Sequence, residues 1–492
     1  MAEHSSETSL RSGRLGVIGI VFFVVAAAAP LVGMTGAVPV AILAGNGAAA
    51  PGTYLLVGLT LLLFSVGFSA MTNRVTNAGA FFAYVGRGMG PNMGIASAFA
   101  SIVGYITIQL AIYGFFGGIM AGQMAALGLT LDWYIWAFLA WAIVTALSLL
   151  SVDVGAKVLG TLMVLELASL VISGVAILVH NWGAMDFNAS FNPANIFAGG
   201  FAGGAGIAIA FAFASFIGFE ATAIYGEESK DPKRTVPRAT YWAIGIITVL
   251  FAVVSFAMVT GLGADKVVDQ VATISEGGAN PAAVLFSLAH DNVGQWMADV
   301  MSWLVVSSLF AGLLAFQNAN ARYFFALGRG GVLPKSFGKT SSTGAPRNGV
   351  ILTSVLAAVV MAAFAVAKLD PILNLFFWMS AITAVAIMAV EILVSISVVL
   401  YFRKNGGANL WQSTVAPVVS AVLLVGGEYL LMSRFNLLSG LASTPEGAGN
   451  AWDMSPLGWA LVLSPFIALA IGYLVAALQK SSNSELVKDI VS

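Results

Sequence analysis

The chain contains no cysteine, which excludes disulfides, thiolate metal sites and a cysteine nucleophile. Histidine is scarce: His4, His180 and His290 lie far apart and never at ligand spacing, which argues against a metal site. Charge is lacking too. The 22 acidic and 21 basic residues make up 9% of 492 positions, against about a quarter in a soluble globular chain. A net charge of −1 and a pI near 6.3 give no electrostatic footprint for nucleic acid. No phosphate cradle is present. The run from Gly328 to Ser336 comes nearest to one, but Pro334 precedes Lys335 where glycine is required. Residues 86–90 and 199–206 are glycine-rich without strand–helix context and read as a helix start and a flexible approach to a helix. Sustained strand-like alternation is absent, which sets a β-barrel aside.

Apolar length takes the place of all this. The chain is 59% hydrophobic, its mean hydropathy is +0.93, and a bilayer crossing needs about 20 apolar residues. Twelve such stretches are expected, at 15–44, 52–73, 91–122, 132–151, 154–180, 202–226, 237–261, 294–325, 348–367, 371–402, 415–433 and 456–479. Many carry Gly and Ala at helical spacing, as closely packed helices do in lipid. The expected fold is an all-α integral membrane protein with twelve transmembrane helices. The first apolar run continues to Leu43, too long for a signal-peptide core, so cleavage is not expected. With the N-terminus inside and sides alternating, 18 of the 21 Lys and Arg fall on the inner side. Only Lys266, Lys368 and Arg434 fall outside, and this bias places both termini in the cytoplasm. The longest outer stretch, roughly 262–293, is expected to form a short extracellular cap.

Two stretches break the helical pattern. The first holds Pro30-Leu-Val-Gly33-Met34-Thr35-Gly36 with Pro39 following, and the sixth holds Ala214-Ser215-Phe216-Ile217-Gly218-Phe219-Glu220. Glycine is a poor helix former, and proline removes a backbone donor. Unwound backbone inside a membrane is tolerable only where protein or a water-filled cavity satisfies it. The breaks fall in corresponding members of two five-helix halves, stretches 1–5 and 6–10. That is the pattern of an inverted-repeat transporter with a polar site at the half-helix ends. Packing glycines in ordinary helices are the plain alternative.

The residues from Phe216-Ile-Gly-Phe-Glu220 through Glu227-Glu-Ser-Lys-Asp-Pro-Lys-Arg-Thr-Val-Pro-Arg238 resemble the sixth span and following loop of amino acid–polyamine–organocation permeases. Two further stretches resemble the same family: Thr76-Asn-Ala-Gly-Ala-Phe-Phe-Ala-Tyr84, and Asn320-Ala-Arg-Tyr-Phe-Phe-Ala-Leu-Gly-Arg-Gly-Gly-Val-Leu-Pro334 with Gly344-Ala-Pro-Arg347. The resemblance implies a LeuT-like 5+5 inverted repeat over 15–402, two additional helices over 403–479, and cytoplasmic tails at 1–14 and 480–492. It also implies alternating access to a central site. The substrate amine would meet carbonyls around Phe213, Ala214 and Ile217. The carboxylate would meet amides of Thr35, Gly36 and Ala37, beside Gly33 and Met34. The family often shows Gly-Ser-Gly where this chain has Met34-Thr35-Gly36, and Met34 adds bulk there. The charged residues Glu227, Glu228, Lys230, Lys233, Arg234 and Arg238 read as a solvated network at a helix end.

Four acids, Glu166, Glu220, Glu391 and Glu428, fall inside the apolar stretches, with no Lys or Arg near the centre of any. A charged carboxylate facing lipid is costly, so each is expected to face protein. Burial makes such a group a candidate proton carrier. Glu220 follows the second break directly. Glu166 lies close to where some proton-coupled relatives, by resemblance, carry a lysine. Ser307 and Ser308 are possible partners. Glu391 and Glu428 carry no supporting motif. Gln109 and Tyr113, one turn apart, form a candidate polar face toward the site, and Phe211, Phe213 and Phe216 are candidate caps.

The expected protein is therefore a secondary active transporter of the cell membrane with an amino acid as cargo and a proton as coupling ion. A polyamine or other small amine is the alternative cargo, which the buried acids favour modestly. A channel is the rival class and would need a continuous polar pore. No cofactor, metal or catalytic group is expected.

Overall fold

The computed structural model describes residues 16–72, 74, 80–150, 156–200, 203–220, 222, 229, 231–341 and 344–479. Both terminal tails, residues 76–79 of the motif before the third stretch, and Glu227, Glu228 and Lys230 lie outside them. The described residues are overwhelmingly helical, and none forms a β-strand.

Each apolar stretch contains helix. The first is split into α1 (Val17–Ala28) and α2 (residues 30–46). Then come α3 (Ala50–Thr72), α4 (Ala80–Met89), α5 (Pro91–Ala126), α6 (Trp133–Leu149) and α7 (Ala156–His180). Next are α8 (Ala205–Phe216), α9 (Pro232–Leu262), α10 (Gln295–Arg329) and α11 (Arg347–Val366). The last are α12 (Phe377–Asn405), α13 (Ala416–Ser433) and α14 (Pro456–Gln479). Among the described residues, nine helices are long and apolar enough to cross a membrane.

One local reading changes. Residues 86–90, expected as a helix start, instead close α4, and Gly90 separates it from Pro91. Proline lacks the N–H that would continue α4, and its fixed φ suits the first position of α5. In the sixth stretch the helix stops at Phe216, residues 217–220 form a turn, and 221 and 223–226 lie outside the described residues. The 262–293 stretch folds as two short helices, Val267–Ile274 and Ala282–Asn292.

The 36-residue α5 is the axis of the packing, contacting α4, α6, α10, α12 and α14. At 1.5 Å per residue it is about 54 Å long, well beyond a hydrocarbon core of about 30 Å. The outer helices show apolar residues to their surroundings: Val175 on α7, Val359 on α11 and Val422 on α13 are each more than half exposed. That distribution fits lipid, not water, around the molecule. Close helix approach depends on missing side chains. Gly206 of α8 lies against the Leu430 carbonyl of α13, where a Cβ would collide with backbone.

Candidate functional site

The first interruption sits at Ala29, one residue upstream of the expected stretch. Ala29 adopts φ 44°, ψ 68°, in the left-handed region. The ring of Pro30 disfavours the right-handed helical conformation for the residue before it, and an L-residue in the left-handed region costs about 1–2 kcal/mol. Beyond it the chain rewinds at once. Gly33–Ala37, expected to be unwound, forms a π-helical turn. The amides of Thr35, Gly36 and Ala37 therefore lie within a helix. The free donors are those of the first turn of α2, Leu31 and Val32, which the helix cannot satisfy. The Leu31 N–H donates to Glu166 Oε1 at 2.7 Å. Glu166 stands on α7, buried, with Ser308 of α10 close to the same carboxyl.

The second interruption lies within the expected stretch. Helix α8 ends at Phe216, Ile217 turns to ψ 134°, and Gly218 takes φ 114°. Only glycine occupies that region readily. The Gly218 N–H donates to Glu220 Oε2 at 2.9 Å, and the Tyr105 hydroxyl of α5 donates to Glu220 Oε1 at 2.7 Å. Each interruption is thus closed by a buried glutamate that accepts the N–H the break sets free. An unpaired buried donor would cost several kcal/mol in lipid.

Between the interruptions lies a small, partly open space of ≈ 40 Å³, room for about one or two waters. Ala28, Ala29, Val32, Gly33 and Ala37 line it from α1 and α2, and Phe211, Ala214, Ser215 and Ile217 from the α8 side. Ile108 and Ile112 of α5, Phe316 of α10, and Phe376 and Ser380 complete the wall. Of the residues singled out from sequence, Gly33, Ala37, Ala214, Ile217 and Phe211 come together here.

The others do not line this space. Thr35 Oγ1 is committed to the Leu31 carbonyl at 2.7 Å, and Gly36 packs under the Phe115 and Phe376 rings. Met34 and Tyr113 are buried in the packing. Phe213 faces Gly427 of α13, and Phe216 meets Phe251 edge-on at 5.5 Å. Ser307 bonds the Leu304 carbonyl of its own helix. Gln109 turns away, its Nε2 donating to Gln317 Oε1 at 2.6 Å while its Oε1 accepts from Asn320 Nδ2 at 3.1 Å. Asn320 Nδ2 also bonds the Tyr105 carbonyl at 3.1 Å, and Gln317 Nε2 continues to Ser354 Oγ at 2.8 Å. A polar chain therefore runs from the Glu220 latch through α5 and α10 to α11. Sequence reading follows polarity on α5 and misses that the isoleucines, not Gln109, face the cavity.

Glu391 on α12 and Glu428 on α13 are buried outside the cavity, each with one carboxyl oxygen lacking a partner among the described residues. Of the charged network, Lys233, Arg234 and Arg238 are exposed on the first turns of α9, with Arg234 Nε 3.9 Å from Asp231. A pair that exposed contributes little to stability.

The Tyr105 bond makes a direct prediction. Tyr105→Phe leaves Glu220 one donor short, a loss of about 1–3 kcal/mol. The thermal midpoint in detergent should fall, and it should fall no further when Glu220 is also replaced by Gln, because the two groups form one interaction.

The sequence pattern that defines amino acid permeases matches residues 19–480. A branched-chain amino acid permease of Lactococcus lactis is 25% identical over 404 residues, 77% of this chain and 80% of that protein. One from Bacillus subtilis is 22% identical over 470 residues, 90% of each chain. A vacuolar cationic amino acid transporter of Arabidopsis thaliana is 26% identical over 357 residues, 68% of this chain and 56% of that protein.

Proposed function

Because the chain belongs to the amino acid permease family, a family of multi-pass membrane transporters, we propose that it moves an amino acid across the cytoplasmic membrane by alternating access, coupled to a proton. The observation that carries this reading is the pair of interruptions facing one cavity, each latched by a buried glutamate. In this reading residues 15–402 form a LeuT-like 5+5 repeat and residues 403–479 add two helices. Twelve spans then leave both ends cytoplasmic.

The backbone at the cavity supplies the recognition. Helices α1 and α8 both end at it, so their terminal carbonyls present partial negative charge to a substrate ammonium. Val32 lines the cavity from the first turn of α2, and its N–H, which has no backbone partner among the described residues, suits a substrate carboxylate. This moves the proposed carboxylate contact one turn upstream of Thr35–Ala37. Protonation of Glu166 or Glu220 weakens the charge-assisted bond that latches its interruption, which links proton binding to the freedom of the half-helices. Two carbonyl-rich ends against one N-terminus whose Leu31 amide is already taken by Glu166 favour a small organic amine as the second reading.

Thermal shift of the purified protein separates the two, since a ligand at 100 times its Kd stabilises by about 2.7 kcal/mol. Amino acids should stabilise the protein, and their decarboxylated amines should not. The reverse pattern would replace the amino acid reading with the amine one.

A further inference from the structure

The side chains around the cavity bear on the choice of cargo, an inference that rests on the transporter reading above. Among the described residues, no Asp, Glu, Lys, Arg or His lines the space. Ile108, Ile112 and Phe316 form the wall across from the interruptions, and the Phe376 ring stacks on Phe115 at 4.8 Å beside it. The two acids nearest the interruptions are turned elsewhere. Glu166 faces the Leu31 amide and Ser308, and Glu220 faces the Gly218 amide and Tyr105. Among the described residues, two hydroxyls line the cavity. Ser215 Oγ donates to the Phe211 carbonyl at 2.7 Å. Ser380 is 2% exposed, and its hydroxyl has no partner among the described residues.

We propose that this cavity is the side-chain subsite for an uncharged aliphatic amino acid, with Ile108, Ile112 and Phe316 setting its shape and Ser380 offering its free hydroxyl to the polar end of the substrate. A cationic side chain placed here would be stripped of water with no carboxylate to meet it, which is strongly unfavourable. An aliphatic side chain exchanges water for apolar walls and leaves no polar group of its own unpaired. At ≈ 40 Å³ the space is smaller than such a side chain, so the helices part to admit it and the walls then close on it. Apolar walls discriminate by size, at about 10–200-fold per methylene. Selectivity is therefore expected to be steep between charged and uncharged substrates and graded among aliphatic ones.

The test uses the full chain in proteoliposomes, with labelled leucine and labelled lysine each as tracer and a panel of unlabelled competitors. Leucine, isoleucine and valine should compete at concentrations at least about 100-fold below lysine and arginine. Phe316→Ala should raise phenylalanine relative to leucine by about 10-fold. Ser380→Ala should weaken all amino acids alike and leave their ranking unchanged. If Phe316→Ala does not fold, Ile112→Ala reads the same wall. Lysine or arginine carried as well as leucine overturns the inference while leaving an amino acid transporter. An unchanged ranking in a folded wall variant overturns the assignment of the wall. Transport of neither tracer, with no competitor effective, overturns the transporter reading itself.

Discussion

Glu166→Gln should abolish the pH dependence of uptake while leaving the protein folded. The amide oxygen of glutamine still accepts the Leu31 N–H that Glu166 now holds at 2.7 Å, so the interruption at Ala29 keeps its cap. Glutamine, however, carries no proton. In the wild type, the proposed coupling has uptake rise as the outer pH falls, a proton taken up outside releasing the latch and travelling with the substrate. One pH unit across the membrane is worth about 1.4 kcal/mol, a tenfold accumulation for one proton per substrate. The variant should lose that tenfold response and still exchange substrate down its own gradient. Glu220→Gln is the companion. If both variants keep the full pH-dependent uptake of the wild type, proton coupling through these groups is wrong.

Gly218→Ala should cost at least tenfold in transport. At φ 114° an alanine Cβ is strained whatever space surrounds it, a penalty of about 1–3 kcal/mol. The chain can relieve it only by changing the turn after Phe216. That change withdraws the Gly218 N–H from Glu220 and moves the end of α8 that lines the cavity. Uptake normalised to the monodisperse fraction separates this from poor folding, since a purely structural role would lower yield and melting temperature and leave the rate per folded molecule intact. A Gly218→Ala protein that transports within twofold of wild type would show that the second interruption does not shape the site.

Helix positions are legible in the sequence because apolar length and flanking charge are local properties, and every expected stretch contains helix. The second interruption is legible for the same reason: Gly218 sits inside it and announces a conformation other residues avoid. The first lies one residue upstream of the stretch in which the sequence pattern puts it. Its signal is Pro30 acting backwards on Ala29, whereas Gly33 and Gly36 lie in the helical turn that follows, close to the Phe251 and Phe115 rings. Which face of α5 meets the cavity is not legible. Gln109 and Ile108 are neighbours in sequence, and only the partners on α10, 208 residues away for Gln317, settle which way each turns. Glu166 is legible as a buried acid, but its partner Leu31 lies 135 residues upstream. Partners at such separations are products of the fold, and no local pattern carries them.

The central claim is that the interruptions enclose one site that opens to alternate sides, and counterflow tests it most directly. Proteoliposomes holding the purified protein are preloaded with unlabelled leucine and diluted into a trace of labelled leucine. The account predicts accelerated, saturable entry of label with no accompanying conductance. Entry that does not saturate and is matched by a steady current would contradict it and mark a channel.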